Sequence, residues 1–295
     1  MKGTKNNIKK KKGKRNIYIL LTKLILCIAV VSTAFVIIIN QKETSKKTDT
    51  IASETEKETK TDEFDGIPVI NDNRGVQVLC YHSVSDNQSK KGPIVIPNDK
   101  LREQLQTIKD NGYTTLTMSE LNDYLFQDKP IPEKSVIITF DDGYRDNYTN
   151  ALPILKEFNM KATFFIISSY INRDLYLTSD EIKEMSDYGF DIESHTVSHR
   201  ALSTLSYDDQ LKELKNSKET IENLTHKPVI SIAYPEGKYN NDTKKAVVDA
   251  GYSMGFTIER GIANRNDNLA QLQRDCIDYT YKPNNILNVL KNTKK

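Results

Sequence analysis

From residue 76 onward, short apolar runs alternate with longer stretches in which apolar residues recur at helical spacing. The short runs are rich in β-branched and aromatic residues, as β-strands are, and seven of them are "VQVLCYH", "SVIITF", "ATFFII", "FDIESH", "VISIAYP", "SMGFTI" and "LQRDCID". Between them lie "NDKLREQLQTIKDNG", "NYTNALPILKEFN", "TSDEIKEMSDYG", "SYDDQLKELKNSKETIENL" and "NDTKKAVVDAG". Several of these stretches open with Ser, Thr, Asn or Asp and close at Gly or Asn, as capped helices do. The alternation predicts an α/β domain with a parallel sheet and crossover helices.

The first 39 residues have the pattern of a membrane anchor. Residues 1–16 contain eight Lys or Arg and no acidic residue, whereas residues 17–39 are predominantly apolar. An apolar segment of this length can cross a bilayer as a helix, and its basic flank is expected to stay in the cytoplasm. We therefore expect a single-pass anchor in the cell membrane with the rest of the chain outside. The alternative is a cleaved signal peptide and a secreted protein, because "STA" at 32–34 has small residues.

Residues 40–74 are expected to form a polar linker. Most of them are Lys, Glu, Thr, Ser and Asp, a composition that buries too little apolar surface to fold and predicts a disordered tether. Residues 75–295 suffice for one large domain, and seven strands without a dinucleotide-binding glycine motif favour a barrel over an open sheet.

The charge of the chain is divided between its two parts. Beyond residue 40 there are 33 basic and 40 acidic residues, although the whole chain has a formal net charge of +2. The positive charge therefore belongs to the flank of the anchor, and we expect no nucleic-acid partner. Two cysteines, Cys80 and Cys276, lie in the predicted domain. A disulfide between them and two buried thiols are both compatible with the sequence.

Polar side chains directly follow four of the predicted strands. Parallel barrels place their catalytic groups at the C-terminal ends of their strands, so we expect these side chains to share one site. A turn is the alternative for the Asp-Asp-Gly segment taken alone, but turn chemistry has no reason to select this end of each strand. The side chains are His82, the pair Asp141 and Asp142, His195, and Pro235 with Glu236.

The segment "HTVSH" indicates a metal site. It contains His195 and His199, two of only four histidines in the chain. Two imidazoles four residues apart can bind one cation if the segment is helical or forms a tight turn, and a carboxylate completes a three-ligand site. The two adjacent aspartates then have separate roles, one as a metal ligand and one as a general base.

Three of these motifs, "TFDDG", "HTVSH" and "YPEG", resemble the first signature motifs of the polysaccharide deacetylase family, the NodB-homology domain of carbohydrate esterase family 4. The segment "VLCYHSV" is similar to the branch that deacetylates poly-N-acetylglucosamine exopolysaccharides. The resemblance covers residues 75–280 and implies a distorted (β/α)7 barrel with a bound divalent cation, usually zinc. It also implies that Asp142, His195 and His199 are the metal ligands and that Asp141 is the general base.

The implied reaction is hydrolysis of an N-acetyl group. A cation with three protein ligands leaves a position for water and polarises the acetyl carbonyl, and Asp141 accepts the proton of that water. Candidates for contacts to the substrate or the oxyanion are the backbone at Tyr144 and the Pro235–Glu236 segment. No histidine follows His226, so the C-terminal histidine acid of most family members is absent. We therefore expect His82 to be the acid, as the exopolysaccharide branch implies; a hydrogen-bonded core histidine is the alternative.

The third and fourth family motifs are altered in this chain. Ala233 and Glu236 occupy positions where the third motif usually has an arginine and an aromatic residue, and the chain contains no Trp for the fourth motif. Arg274 in "LQRDC" is a candidate for the missing cation beside Asp141; a surface ion pair is the alternative. Glu236 has three interpretations, which are repulsion of the base, binding of the substrate amine, and simple exposure to water.

The predicted anchor limits the partner to a polymeric or cell-surface glycan. An acetylated β-1,6-linked N-acetylglucosamine polymer is favoured by the branch resemblance, and the N-acetylglucosamine of peptidoglycan is the second candidate. The protein is expected to act as a monomer. A non-catalytic glycan-binding protein on a degenerate deacetylase scaffold stays open because of Ala233 and Glu236.

Overall fold

The computed structural model describes residue 64, residues 66–87 and residues 92–292. The predicted anchor at 17–39 and most of the predicted linker at 40–74 lie outside these residues. The last part of that predicted linker belongs to the fold instead, because Val69–Ile70 form a strand paired with Ile131–Pro132. The part of the chain that is described has no helix with the length and hydropathy of a membrane span. It forms an α/β fold of mostly parallel strands, as the sequence predicts.

Short strands alternate with helices along the described residues. The strands are β1 (Val69–Ile70), β2 (Val76–Tyr81), β3 (Ser83–Val84), β4 (Val95–Ile96), β5 (Thr114–Thr115), β6 (Ile131–Pro132), β7 (Ser135–Phe140), β8 (Thr163–Ile166), β9 (Asp191–Ser194), β10 (Ser231–Ala233), β11 (Met254–Phe256), β12 (Ile262–Ala263) and β13 (Asp275–Cys276). The helices are α1 (Asn98–Asp110), α2 (Met118–Phe126), α3 (Leu152–Phe158), α4 (Ser179–Tyr188), α5 (Tyr207–Thr225), α6 (Asn241–Asp249) and α7 (Pro283–Lys291). A π-helical turn, Asn147–Ala151, leads into α3.

The main sheet runs in the order β11, β10, β9, β8, β7, β2, and every neighbouring pair in that series is parallel. The free edge of β2 is shared by two segments. The antiparallel β12 pairs with its first residues, Val76 and Gln77, and the parallel β13 pairs with Leu79 and Cys80.

The segment that ends in β13 also reaches the opposite edge of the sheet. The Leu272 N–H donates to the Gly255 carbonyl at 2.8 Å, and the Thr257 N–H donates to the Leu272 carbonyl at 2.9 Å. At its other end, the Ile277 N–H donates to the Cys80 carbonyl at 2.9 Å. The same short segment therefore contacts both β11 and β2, an arrangement consistent with the predicted (β/α)7 barrel.

Local sequence signals define several helix ends. Thr178 and Glu181 form a reciprocal capping box at the start of α4, and Gly189 ends that helix with a left-handed φ of 113°. The Ser206 hydroxyl accepts a hydrogen bond from the Asp209 N–H at the start of α5. Both helices pack against β9. At the centre of the sheet, β2 is buried along its whole length, as expected for a strand of a parallel sheet.

Aromatic residues fix the packing between three neighbouring strands. Tyr81, Phe140 and Phe164 are register partners on β2, β7 and β8. Their rings stack with centroids 5.4 and 5.1 Å apart. This packing fixes the positions of the C-terminal ends of these strands, where the polar residues follow.

Candidate metal and catalytic site

The two adjacent aspartates are held by a turn at the end of β7. The Asp141 N–H donates to the Tyr81 carbonyl at 2.9 Å, which extends the pairing of β7 with β2. Asp142 then has a φ of 75° and Gly143 a φ of 71°, a left-handed conformation that Asp tolerates and Gly favours. A Cβ at Gly143 would lie 2.9 Å from Ile166 Cδ1 and would be carried by a left-handed backbone, so this position favours glycine. Consecutive residues in this turn give the two carboxylates different partners.

Asp141 forms a bidentate ion pair with Arg274. The distances from Nη1 to Oδ1 and from Nη2 to Oδ2 are both 2.8 Å. Arg274 is 0% exposed and also donates to the Thr139 hydroxyl and the Thr257 carbonyl. The sequence correctly suggested a contact between Arg274 and Asp141, and burial rules out the surface ion pair.

The charge of Asp141 is set by opposing effects. Burial pushes the pKa of Asp141 upward, but the charge and hydrogen bonds of Arg274 hold that pKa below its usual value. The pKa of Arg274 is raised in turn, because the attraction of Asp141 outweighs the effect of burial. Asp141 is therefore a carboxylate at neutral pH, as a general base must be.

Asp142 faces both histidines of the "HTVSH" segment. Its Oδ1 lies 3.4 Å from His195 Nε2 and 3.3 Å from His199 Nε2. Two ligands of a tetrahedral zinc, each about 2.0–2.2 Å from it, are separated by about 3.3–3.5 Å. Burial pushes the pKa of Asp142 upward, but hydrogen bonds with the two imidazoles hold it far below the usual range. The spacing and the charge of these side chains fit a divalent cation.

A second contact orients His195 for metal binding. Its Nδ1 lies 2.8 Å from the Ala233 carbonyl, which can only accept a hydrogen bond. Nδ1 therefore donates to this carbonyl, and Nε2, which faces Asp142, is the nitrogen that is left to bind a cation. Ala233, at the position where the family usually has an arginine, thus orients the metal ligand His195 through its backbone carbonyl.

The two histidines are brought together by a tight turn, one of the two conformations that the sequence analysis required. His199 has a φ of 60°, and its N–H donates to the Thr196 hydroxyl at 3.1 Å. Glu213 of α5 accepts hydrogen bonds from the N–H groups of Val197 and Ser198 at 3.0 and 2.9 Å. Sequence reasoning missed Glu213, because a glutamate on an amphipathic helix carries no distinguishing signal.

His82 lies at the end of β2 beside Asp141. A ring nitrogen of His82 and a carboxylate oxygen of Asp141 are within 4.8 Å of each other. The amide of Asn147 donates to the His82 carbonyl at 2.7 Å and fixes its backbone. Burial lowers the pKa of His82, and the charges of Asp141 and Asp142 oppose that effect without overcoming it.

The two aspartates and the three histidines described above line one cavity of about 440 Å³, whereas Arg274 does not reach it. His82 reaches this cavity and is therefore not enclosed in the core. The cavity also contains charged residues that the sequence analysis missed, Arg260 and Asp278. Arg260 lies in the loop after β11, and Asp278 ends the predicted strand "LQRDCID", but neither residue belongs to a recognisable motif. The predicted residues in the lining are His82, Asp141, Asp142, His195, His199 and Glu236.

The remaining predicted residues are at the edge of the site. Tyr144 and Pro235 are not among the described residues that line the cavity. The Tyr144 ring stacks on Tyr176 with centroids 5.4 Å apart, and its pKa is raised by burial and by the nearby Asp142. Glu236 has a left-handed φ of 56°, and its half-exposed carboxylate forms an ion pair with Lys238. The pKa of Glu236 is lowered by its hydrogen bond with Lys238.

Several known proteins are similar to this chain in sequence and in fold. The family profile for polysaccharide deacetylase matches residues 128–255. YxkH of Bacillus subtilis strain 168, whose name assigns it to the polysaccharide deacetylases, is 42% identical over 197 residues, which cover 67% of this chain and 69% of the relative. The deacetylase PplD of Streptococcus pyogenes, solved in complex with acetate, has a TM-score of 0.71 and 32% identity, covering 75% of this chain and 100% of that chain.

A third relative has a named substrate. The poly-β-1,6-N-acetyl-D-glucosamine N-deacetylase of Staphylococcus epidermidis is 30% identical over 188 residues, and the match covers 59% of this chain and 65% of the relative. Taken with the catalytic-site geometry, these similarities show that the chain belongs to the polysaccharide deacetylase family, carbohydrate esterase family 4, and is an enzyme of that class.

Proposed function

We propose that this protein removes N-acetyl groups from a cell-surface N-acetylglucosamine polymer, with poly-β-1,6-N-acetylglucosamine as the favoured substrate. The observation that carries the proposal is the juxtaposition of two carboxylates with different partners in one cavity. Asp142 faces two imidazole nitrogens, and Asp141 is held by Arg274. The similarity to the staphylococcal enzyme supports the choice of polymer.

The metal would be held by Asp142, His195 and His199, and zinc is the proposed cation because it prefers this set of nitrogen and oxygen ligands. A bound cation of this kind supplies Lewis acidity, which activates water and polarises a carbonyl. The protein orients the ligands through the Ala233 carbonyl and the turn supported by Glu213.

Asp141 accepts the proton of the attacking water. Its carboxylate oxygens each accept one hydrogen bond from Arg274, and a carboxylate oxygen has lone-pair capacity for a second partner. Arg274 keeps the carboxylate ionised and restrains its orientation, so the base needs little rearrangement before the proton transfer. Arg274 is therefore a positioning residue, since it does not line the cavity.

His82 delivers a proton to the nitrogen of the departing sugar amine. It faces the cavity close to Asp141, on the strand next to β7. Expulsion of an amine from a tetrahedral adduct requires protonation of nitrogen, and an imidazolium can supply that proton near neutral pH. The base and the acid thus come from the ends of two adjacent strands.

The apolar segment at 17–39 and the polar residues between it and β1 support attachment to the cell membrane with the catalytic domain outside. A tethered enzyme acts on glycans within reach of the linker, which suits an exopolysaccharide or peptidoglycan. Peptidoglycan N-acetylglucosamine is therefore the second candidate substrate.

A comparison of glycans tests the proposal. The full chain, loaded with zinc, is assayed for acetate release from β-1,6-linked N-acetylglucosamine oligomers, from β-1,4-linked chitin oligomers and from peptidoglycan. Release from the β-1,6-linked oligomers at the highest kcat/KM is expected. Faster release from peptidoglycan would replace the favoured substrate with the second candidate. Glycan binding with no release from any of the three would contradict catalysis and support the non-catalytic glycan-binding alternative.

A further inference from the structure

Cys80 and Cys276 are direct register partners on β2 and β13. Neighbouring strands lie about 4.7–4.9 Å apart, and the Cα atoms of disulfide-bonded cysteines are usually about 4.4–6.8 Å apart. Side chains of register partners leave a sheet on the same face. Both cysteines are free thiols here. The backbone therefore already satisfies the distance and direction that a disulfide requires.

This pair of thiols is part of the catalytic-site wall. The Cys80 Sγ lies 3.5 Å from Asp141 Oδ2 and can donate a weak hydrogen bond to it. Cys276 lines the same cavity as the metal-binding residues, and it follows Arg274 by two residues on the same segment. A covalent change at either sulfur therefore acts next to the ion pair between Asp141 and Arg274.

The two thiols differ in exposure and in acidity. Cys80 is fully buried, whereas Cys276 is half-buried and faces the cavity. The neighbouring Cys80 side chain lowers the pKa of Cys276; burial opposes this effect and the charge of Arg274 assists it. The pKa of Cys80 is raised by the neighbouring Cys276 side chain and by burial. A more acidic, accessible thiol beside a buried partner is the arrangement of a nucleophilic and a resolving cysteine.

We propose that Cys80 and Cys276 are a redox modification site, at which a peroxide converts the two thiols to a disulfide and thereby slows deacetylation. The effect on rate rests on the proposed function; the formation of the bond does not. The Cys276 thiolate attacks one peroxide oxygen, the O–O bond breaks, and the leaving oxygen takes up a proton. Cys276 is then a sulfenic acid. The Cys80 thiol attacks the Cys276 sulfur, the S–O bond breaks, and the proton of Cys80 leaves with the hydroxyl group as water.

The expected loss of activity follows from the contacts of Cys80. Bonding to Cys276 removes the S–H group that faces Asp141 Oδ2 and draws the Cys80 sulfur toward the cavity. The disulfide also ties β2 covalently to the segment that carries Arg274. A displacement of about 1 Å in a catalytic group can cost about 100-fold in rate. We therefore expect the oxidised protein to release acetate about tenfold more slowly than the reduced protein.

The test uses the full chain with Cys27→Ser, so that only the two relevant thiols are present. The zinc-loaded protein is treated with hydrogen peroxide, and a portion is then reduced with a phosphine. Free thiols are alkylated before digestion, and the linked peptides are identified by mass spectrometry. Acetate release is measured in parallel. Cys276→Ser in the same background is the matched control, and each activity is compared with that of the same variant before oxidation.

We expect peptides containing Cys80 and Cys276 to be linked after peroxide, with activity reduced about tenfold and restored by the phosphine. The Cys276→Ser control should form no link and show no reversible loss. Absence of the linked peptides, or a link with unchanged activity, would overturn the proposal. If peroxide links the two cysteines but the protein releases no acetate from any glycan even before oxidation, the proposed function is contradicted and the modification site is still confirmed.

Discussion

Arg274 and Asp141 form a buried bidentate ion pair in which both nitrogen to oxygen distances are 2.8 Å. The arginine comes from the segment that leads into β13, and the aspartate follows β7. The usual family position for an arginine holds Ala233. We infer that Arg274 supplies from another strand the cation that the third motif lacks, so the altered motif does not leave Asp141 unpaired.

Loss of this ion pair should destabilise the protein strongly. Arg274→Met leaves Asp141 as a buried carboxylate without its partner, and breaking a buried pair in this way typically costs about 3–5 kcal/mol. Urea unfolding of the full chain measures the difference in the free energy of unfolding. The matched control is Arg102→Met, because Arg102 pairs with Glu157 on the surface, where such pairs contribute about 0–1 kcal/mol. Equal losses in the two variants would contradict a structural role for the Arg274 pair.

Replacement of His82 should slow the hydrolysis of amides more than the hydrolysis of activated esters. If His82 protonates the leaving amine, His82→Ala should slow acetate release from N-acetylglucosamine oligomers by about 10²–10⁴-fold. An aryl acetate has a leaving group that departs without protonation, so its hydrolysis should fall much less. Parallel assays of the two substrates give the ratio directly. An equal loss on both substrates would show that His82 supports the site structurally instead of acting as the acid.

The pH dependence should also report on His82. The acid must be protonated, and burial lowers the pKa of His82 below the ordinary value of 6.5. Activity should therefore fall as pH rises through that lowered pKa, while Asp141, whose pKa is held low by Arg274, stays ionised. In a profile of kcat/KM, we expect a descending limb with its midpoint below about 6.5. A midpoint well above this value, or the same limb in His82→Gln, would contradict the assignment.

Measurement of bound zinc should distinguish the two histidine ligands from a histidine outside the site. His195→Ala and His199→Ala remove nitrogen ligands that face Asp142, so both variants should lose bound zinc and acetate release. His226→Asn is the control, because His226 is exposed at the end of α5 with a left-handed φ of 56° that Asn tolerates. Elemental analysis after dialysis gives the zinc content per chain. Full retention of zinc in both alanine variants would contradict the ligand assignment.

Glu236 should have a small effect on the chemical step. Its carboxylate is 51% exposed and is paired with Lys238, so solvent screens its field at Asp141. We expect Glu236→Gln to change kcat by less than about threefold, with any larger change confined to KM. Steady-state kinetics on the preferred oligomer separate the two constants. A large rise in kcat would instead support repulsion of the base by Glu236.

Much of this architecture was predictable because its signals are local. The seven predicted strands coincide with β2, β7, β8, β9, β10, β11 and the segment containing β13. Their β-branched runs and the capping residues between them depend only on nearby sequence. The polar residues that follow these strands were brought together because parallel strands end at one side of the sheet.

The elements missed by the sequence analysis divide into two kinds. α2 and α7 do carry local signals, a capping box of Thr117 with Glu120 and a proline at Pro283 in the first turn, but their apolar pattern is short. Two-residue strands such as β3 and β12 exist only through a distant partner, which sequence periodicity cannot supply. Arg260 and Asp278 reach the cavity on loops, where position is set by tertiary packing.

The most direct test of the central claim is a zinc titration of the metal-stripped full chain. Acetate release from β-1,6-linked N-acetylglucosamine oligomers is measured at each addition, beside the zinc bound per chain. The geometry of Asp142, His195 and His199 predicts that activity rises in proportion to occupancy and reaches a plateau at about one zinc per chain. Acetate release that is independent of added zinc, or a fully occupied site that releases no acetate, would contradict it.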